Sequence, residues 1–204
     1  MTQNAHPDWF MLTPAGALQA FAQKSPDSTR LLLQSLLTQD VALTLSEWAV
    51  KAPQANELVR EMLDKGWVQK LQKPMRGPDA KLDDFLQQVV ASLSGERRAI
   101  LASEAGFCIG RAGVDADQAD VLSAAAAEFA EFAQRQARRG WEGAMNYASF
   151  HRDPEFLLPS YSFLPFWVDG VGYTLVVMGE PLINNPALVE LLWGIKLAAA
   201  KFAV

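Results

Sequence analysis

The side chains best suited to acid–base catalysis or metal binding are scarce in this sequence. Its 204 residues include two histidines, His6 and His151, and one cysteine, Cys108. His151, Asp153 and Glu155 alternate as metal ligands on a strand would. A proline between the two carboxylates interrupts such a strand, however, and no second histidine is near them in the sequence. The pattern therefore predicts no metal site.

Cys108 and a short glycine motif are the other candidates for chemistry. Cys108 stands between Phe107 and Ile109 in a predicted strand, where a buried and inert thiol is the expected state. The sequence GRAG, from Gly110 to Gly113, lacks the lysine of a P-loop and the spacing of a dinucleotide fingerprint, so a turn explains it better than a phosphate site. Since no base, nucleophile and orienting group lie within plausible reach of one another, we predict a protein that is not an enzyme and uses no cofactor.

Aromatic residues offer a further alternative, a ligand pocket of a sensory domain. The candidates are Trp141, Tyr161, Phe163, Phe166 and Trp167. At the alternating spacing of a strand, such residues more often belong to a core or an interface. The sequence leaves the choice between pocket and core open.

Composition narrows the class of protein. Half of the residues are hydrophobic and a fifth are charged, which is a globular balance and excludes disorder as the main theme. The net charge of -5 argues against nucleic-acid binding through the overall field of the protein. The single cysteine excludes an internal disulfide, and the sequence contains neither a signal peptide nor an apolar run long enough to span a membrane. We expect a soluble, cytoplasmic protein.

The elements around these residues are organised by the segment 117–138, which has the period of a helix. Its bulky apolar positions form one stripe: Leu122, Ala125, Phe129 and Phe132. A second stripe contains alanines alone: Ala119, Ala126, Ala130, Ala133 and Ala137. A bulky stripe suits packing on a sheet, whereas an alanine stripe lets a second helix approach closely. We therefore predict a homodimer whose interface comprises the alanine stripe together with Ala144 and Tyr147 of the following strand.

The amino-terminal part contains several helix starts. Thr13-Pro14, Ser25-Pro26 and Pro53 each place a proline where a helix begins, and Thr44 to Glu47 has the spacing of a capping box. Residues 1–12 lack a periodic pattern and are predicted to be an arm packed on the body. Residues 67–71 alternate like a strand. This order resembles a winged helix-turn-helix over residues 13–75, so we predict a first domain at 1–75.

The predicted recognition helix of that domain has an unfavourable charge for DNA. It presents three acids and two bases, namely Glu57, Arg60, Glu61, Asp64 and Lys65. The cationic residues that remain for DNA contact are Lys70, Lys73 and Arg76 at the wing. Because acids in the groove would repel phosphates, nucleic acid is not an expected partner, and the domain is interpreted as a protein-contact module.

The remainder of the chain follows a linker at residues 73–79 and predicts an α+β domain at 80–204. The expected elements are a helix at 82–93, strands at 99–103 and 107–110, the helix at 117–138, strands at 144–151, 161–168 and 173–178, and a final helix that begins at Asn185-Pro186. Asp169-Gly170 is the hairpin signal between the last two strands. ILASEAGFCIGRAG and LVVMGEPLINNPALVELL, in this order of elements, resemble the roadblock / dynein light chain family, whose fold is longin-like.

The resemblance implies a five-stranded antiparallel sheet and a function in signalling. It implies a non-enzymatic, dimeric scaffold or regulator of a small Ras-like GTPase. The alternative is a transcription regulator with a DNA-binding winged helix and a carboxyl-terminal domain that dimerises or senses a ligand. The partner and the signal are not named by the sequence.

Overall fold

The computed structural model describes residues 8–79, 82–141, 147–152 and 158–202. Its amino-terminal unit contains β1 (Trp9–Leu12), α1 (Pro14–Ala20), α2 (Ser28–Gln34), a 3-10 turn (Ser35–Leu37), β2 (Leu43–Thr44), α3 (Leu45–Lys51), α4 (Ala55–Asp64) and β3 (Val68–Leu71). The strands form a three-stranded antiparallel sheet in the order β2-β1-β3. Helices α3 and α4 are followed by β3, which is the order of elements that the sequence predicts for this segment.

Side-chain caps fix where these helices begin. The Thr13 hydroxyl accepts a hydrogen bond from the Gly16 N–H at 3.0 Å, with Pro14 in the first turn. Thr44 and Glu47 form the predicted capping box, in which the Glu47 carboxylate accepts the Thr44 N–H at 2.8 Å. The predicted start at Ser25 is wrong, because Asp27 caps α2 by accepting the N–H of Arg30. These backbone hydrogen bonds lower the pKa of the Asp27 and Glu47 carboxyls.

The prediction that residues 1–12 form an arm is wrong for Trp9–Leu12. This segment is the central strand β1, and it pairs with β2 on one side and with β3 on the other. Phe10, Met11 and Leu12 are buried. The segment Trp9–Leu12 contains four consecutive apolar residues without polar alternation. This pattern is expected of a central strand that is covered on both faces.

The carboxyl-terminal unit has the predicted order of elements. It contains α5 (Leu82–Ala91), β4 (Ala99–Ser103), β5 (Cys108–Ala112), α6 (Ala116–Ala137), β6 (Ala148–Phe150), β7 (Tyr161–Val168), β8 (Val171–Met178) and α7 (Pro186–Phe202). The strands form a five-stranded antiparallel sheet in the order β5-β4-β8-β7-β6, which confirms the expected sheet. Asp169 and Gly170 both have positive φ, at 50° and 80°, as a two-residue hairpin of this kind requires.

Helices cover both faces of this sheet. Residues Leu175 and Val177 of β8 belong to the main core with α5 and α7, whereas Val176 and Met178 pack with α6 in a second cluster. Strand β8 therefore lacks a polar face, as its sequence predicts. No helix among the described residues is both long enough and apolar enough to cross a membrane.

The two units share one hydrophobic core. Its buried members run without interruption from β1 and α1 to α5, β8 and α7. The Trp193 indole N–H donates to the Gln39 carbonyl at 2.7 Å, and the Trp167 N–H donates to the Phe21 carbonyl at 3.0 Å. The predicted linker is also held, since Gly77 N–H donates to the Asp40 carbonyl at 2.7 Å. The amino-terminal unit is thus docked on α7 and β7.

Candidate interaction surface

The orientation of α6 differs from the prediction for its alanine stripe, whereas the bulky stripe packs on the sheet as predicted, with Leu122 buried beside Ile100 and Val176. Ala119, Ala126 and Ala133 are buried, and the first two pack on the sheet with Ile100 and Val176. These small side chains let the helix lie close to the sheet, so they are unavailable to a partner helix. The predicted use of these three residues as a dimer seam is therefore wrong. Ala130 and Ala137 of the same stripe are partly buried.

The carboxyl-terminal part of the bulky stripe, Phe129 and Phe132, lies toward the edge of the sheet formed by β6. Phe129 lies 5.8 Å from Phe163 of β7 and 6.3 Å from Phe150 of β6, measured between ring centroids. Phe132 continues the series, with its ring 6.4 Å from that of Trp141 in an edge-on arrangement. We call these five residues the aromatic edge.

The aromatic edge is partly open to solvent. Phe132, Trp141 and Phe150 are 38%, 58% and 52% exposed, whereas Phe163 is buried. Large aromatic side chains that are packed on one side and open on the other are typical of interaction sites. The sequence predicts Phe150 at the end of an exposed strand edge but does not single out its ring as part of an interface. The signal that could have revealed it is the alternation of Ala148 and Phe150, which places both on the α6 side of a strand.

Strand β6 adds an open backbone edge beside these rings. Ala148 and Phe150 lie opposite Phe163 and Tyr161 of β7, and no described strand pairs with the other side of β6. The opposite edge of the sheet is β5, which contains a register irregularity where it passes Leu101 and Ala102 of β4. Because a bulge discourages further pairing, β6 is the better edge for a partner strand.

The other predicted interface residues have mixed positions. Tyr147 directly precedes β6 and is 42% exposed, as an interface residue must be. It lines the face of the sheet opposite to α6, next to Leu164 and Leu188. Ala144 lies outside the described residues. The predicted strand at 144–151 is described only as Ala148–Phe150.

The amino-terminal unit presents the charges that the sequence predicts. Glu57, Glu61 and Asp64 of α4 are exposed. Of the three candidate DNA contacts, Lys70 forms an ion pair with Asp8 at 2.8 Å, while Lys73 and Arg76 are exposed. One of the cations at the wing is thus already paired with a carboxylate.

The candidate chemical groups that the structure describes do not form an active-site cluster. The Cys108 thiol is partly buried, and this burial raises its pKa, which disfavours the reactive thiolate. Gly110 lies in β5, where a Cβ atom would come within 2.9 Å of Leu86, so packing of α5 explains this glycine. Asp153 and Glu155 lie outside the described residues. Among the described residues, no group of three or more His, Cys, Asp or Glu side chains is placed to hold a metal ion.

The aromatic residues of β7 do not converge on one pocket. Phe163, Phe166 and Trp167 are all buried. Phe163 packs in the α6 cluster, whereas Phe166 belongs to the main core and stacks on Tyr173 at 5.5 Å. Successive residues of a strand face opposite sides of the sheet, which explains the separation.

Comparison with known proteins gives one structural likeness. No family model matches the chain, and no curated protein matches it. Among solved structures, the chain is similar to the crystal structure of a Roadblock/LC7 domain from Streptomyces avermitilis, with 16% sequence identity and a TM-score of 0.35. The match covers 60% of this chain and 96% of that chain.

Proposed function

We propose that the protein is a non-enzymatic homodimer that serves as a scaffold or regulator of a small Ras-like GTPase. The observation that carries the dimer is the aromatic edge beside the open strand β6. Within the part of the chain that the structure describes, a strand edge and a row of half-exposed aromatic rings are both left uncovered at the same side of the domain. A second copy would cover them together, which stabilises the pair by apolar burial and by backbone hydrogen bonds.

Symmetry determines how two copies would meet. A two-fold axis that relates two edge strands makes them antiparallel. The Trp167 N–H points away from β8, so by alternation Phe163 and Tyr161 direct their backbone groups to Ala148 and Phe150 of β6. The backbone of Ser149 between them then faces outward, and the axis passes close to it. Phe150 of each copy then lies beside the axis and next to the α6 helix of the other copy.

Charge complementarity supports this arrangement. Helix α6 presents Asp120 in its amino-terminal half and ends at the C-cap residue Arg138, and both side chains are exposed. Under the two-fold axis the two α6 helices also run antiparallel, and Phe129 marks the part of each helix nearest the axis. With Phe129 at the axis, Arg138 of one helix is level with Asp120 of the other, because each lies nine residues from Phe129, and this attraction weakens as salt increases.

The GTPase partner rests on the family that the sequence resembles, and the winged-helix-like unit is assigned as a protein-contact module. The exposed acids of α4 and the pairing of Lys70 with Asp8 favour this assignment over DNA binding.

The test combines mass with partner binding. The purified full chain should have the mass of a dimer by light scattering at micromolar concentration. Ras-like GTPases encoded in the same genome should then be purified and titrated in their GDP and GTP-analogue states. We expect one of them to bind with an affinity that depends on the nucleotide, since a regulator must distinguish the two states. Equal or absent binding by every such GTPase would contradict the proposed partner, and a monomer would contradict the dimer.

A further inference from the structure

Among the described residues, the strand that pairs with the outer edge of β7 is shorter than β7 itself. The described part of β6 lies opposite Tyr161–Phe163, whereas β7 continues to Val168. The Trp167 N–H points away from β8, because it donates to Phe21 of the amino-terminal unit. Alternate residues of a strand direct their backbone groups to the same side, so Pro165 also faces the outer edge.

Both outward positions beyond β6 are closed to a further strand. Pro165 has no N–H to donate. The Trp167 N–H is already used at 3.0 Å by the Phe21 carbonyl, which lies at the carboxyl end of α1. In the described part of this edge, therefore, neither outward position can donate a backbone hydrogen bond to a strand of a second copy. Trp167 already donates to the amino-terminal unit, and Pro165 has no N–H.

The amino-terminal unit is held firmly in this position. Phe21 is fully buried in the core that joins the two units. On α7, the buried Trp193 donates to Gln39 at 2.7 Å. The segment that connects the units passes tightly over the same indole, since a Cβ atom on Gly77 would be 2.9 Å from the Trp193 ring. These contacts hold the amino-terminal unit in a fixed position on the β7 edge.

We infer that the amino-terminal unit is a stop on the β7 edge that confines pairing between copies to β6. This inference rests on the proposed dimer and assigns a role to the unit beyond it. An edge strand without a stop accepts a partner in several registers and promotes open-ended association. Because Phe21 and Pro165 prevent pairing along β7 beyond β6, a second copy can pair only through the short strand β6 and the aromatic edge. This arrangement gives a closed dimer.

The proposed role of the amino-terminal unit can be tested by weakening its contacts with α7 and β7 in the full chain. Gly77→Val places a side chain against Trp193, and Trp193→Ala removes the indole that the connecting segment packs on. Trp193→Phe is the matched milder change, because it keeps an aromatic ring and loses the donor to Gln39. Hydrogen exchange at the Trp167 amide measures whether the amino-terminal unit stays in contact with β7. Exchange at the amides of β4 and β8 measures the integrity of the sheet. Light scattering reports the mass over the micromolar range.

We expect the Trp167 amide to exchange at least about tenfold faster in Gly77→Val and Trp193→Ala, while β4 and β8 stay protected. The same two variants should form assemblies larger than those of the natural protein, and Trp193→Phe should fall between. Loss of Trp167 protection without any change in mass would overturn the inference. Unchanged protection in both variants would also overturn it, since the dock would not depend on these contacts. A monomeric natural protein would contradict the proposed dimer, and the stop would then be judged by whether the two variants associate.

Discussion

Replacement of Phe150 by alanine is the change that probes the proposed dimer most directly. Phe150 lies on β6, beside the expected two-fold axis, and its ring packs edge-on against Phe129 and Phe163. The exposed part of the ring would be covered by a second copy. We expect Phe150→Ala to weaken the dimer strongly. Each copy should stay folded, because the rings that remain still support its fold.

The magnitude follows from the exposed area. A phenylalanine side chain has about 200 Å² of surface. Phe150 is 52% exposed, so about 100 Å² remains to be buried, worth about 2.5 kcal/mol at ~25 cal/mol per Å². Allowing for the area of alanine and for incomplete burial leaves about 1 to 2 kcal/mol per copy. A symmetric interface loses this contribution twice, so the dissociation constant should rise roughly 30- to 900-fold.

Sedimentation velocity across a concentration series would measure the dissociation constants of the natural protein and the variant. Leu31→Ala is the matched control, because Leu31 is 54% exposed but lies on α2 in the amino-terminal unit. The control should leave association unchanged. Thermal unfolding of each variant, measured in parallel, separates loss of pairing from loss of fold. Equal dissociation constants for Phe150→Ala and the natural protein, with both chains folded, would refute the proposed interface.

Three further predictions concern the orientation of α6, a helix cap and the wing. Ala126→Leu should lower the free energy of unfolding by about 1 to 3 kcal/mol in urea titrations, because it forces α6 away from the sheet. Ala124→Leu on the exposed side should change it by less than about 0.5 kcal/mol, and equal costs would refute the orientation. Thr44→Ala should cost about 0.5 to 2 kcal/mol through loss of the cap. The hydrogen bond from the Thr44 N–H is the main cause of the lowered pKa of Glu47. The stability that the ionised Glu47 carboxylate contributes is therefore present at neutral pH and is lost as pH falls through the lowered pKa. Glu47→Gln should therefore reduce the loss of stability on acidification, and an unchanged pH profile would contradict this linkage. In a gel-shift assay at about 50 mM salt we expect weak DNA binding or none, whereas sub-micromolar, sequence-selective binding lost in a Lys70, Lys73 and Arg76 triple glutamine variant would favour the transcription regulator.

Local chemistry determined much of the fold. The capping box at Thr44 and Glu47 and the hairpin at Asp169-Gly170 depend on groups close together in the sequence, so their geometry is fixed before any long-range contact. The apolar run of β8 likewise required a strand covered on both faces. From such elements the five-stranded sheet and its helices could be predicted.

Tertiary contacts decided the features that concern function. The period of α6 fixed the angle between the alanine and bulky stripes, but small side chains suit close approach to a sheet as well as to a helix. Only the packed sheet shows that Ala126 faces inward and that Phe129 and Phe132 stand at the edge. In the same way, the run Trp9–Leu12 has no local pattern that distinguishes an arm from a strand. Its place between β2 and β3, and the dock of Phe21 on β7, depend on surfaces that are distant in the sequence and meet only when the core forms.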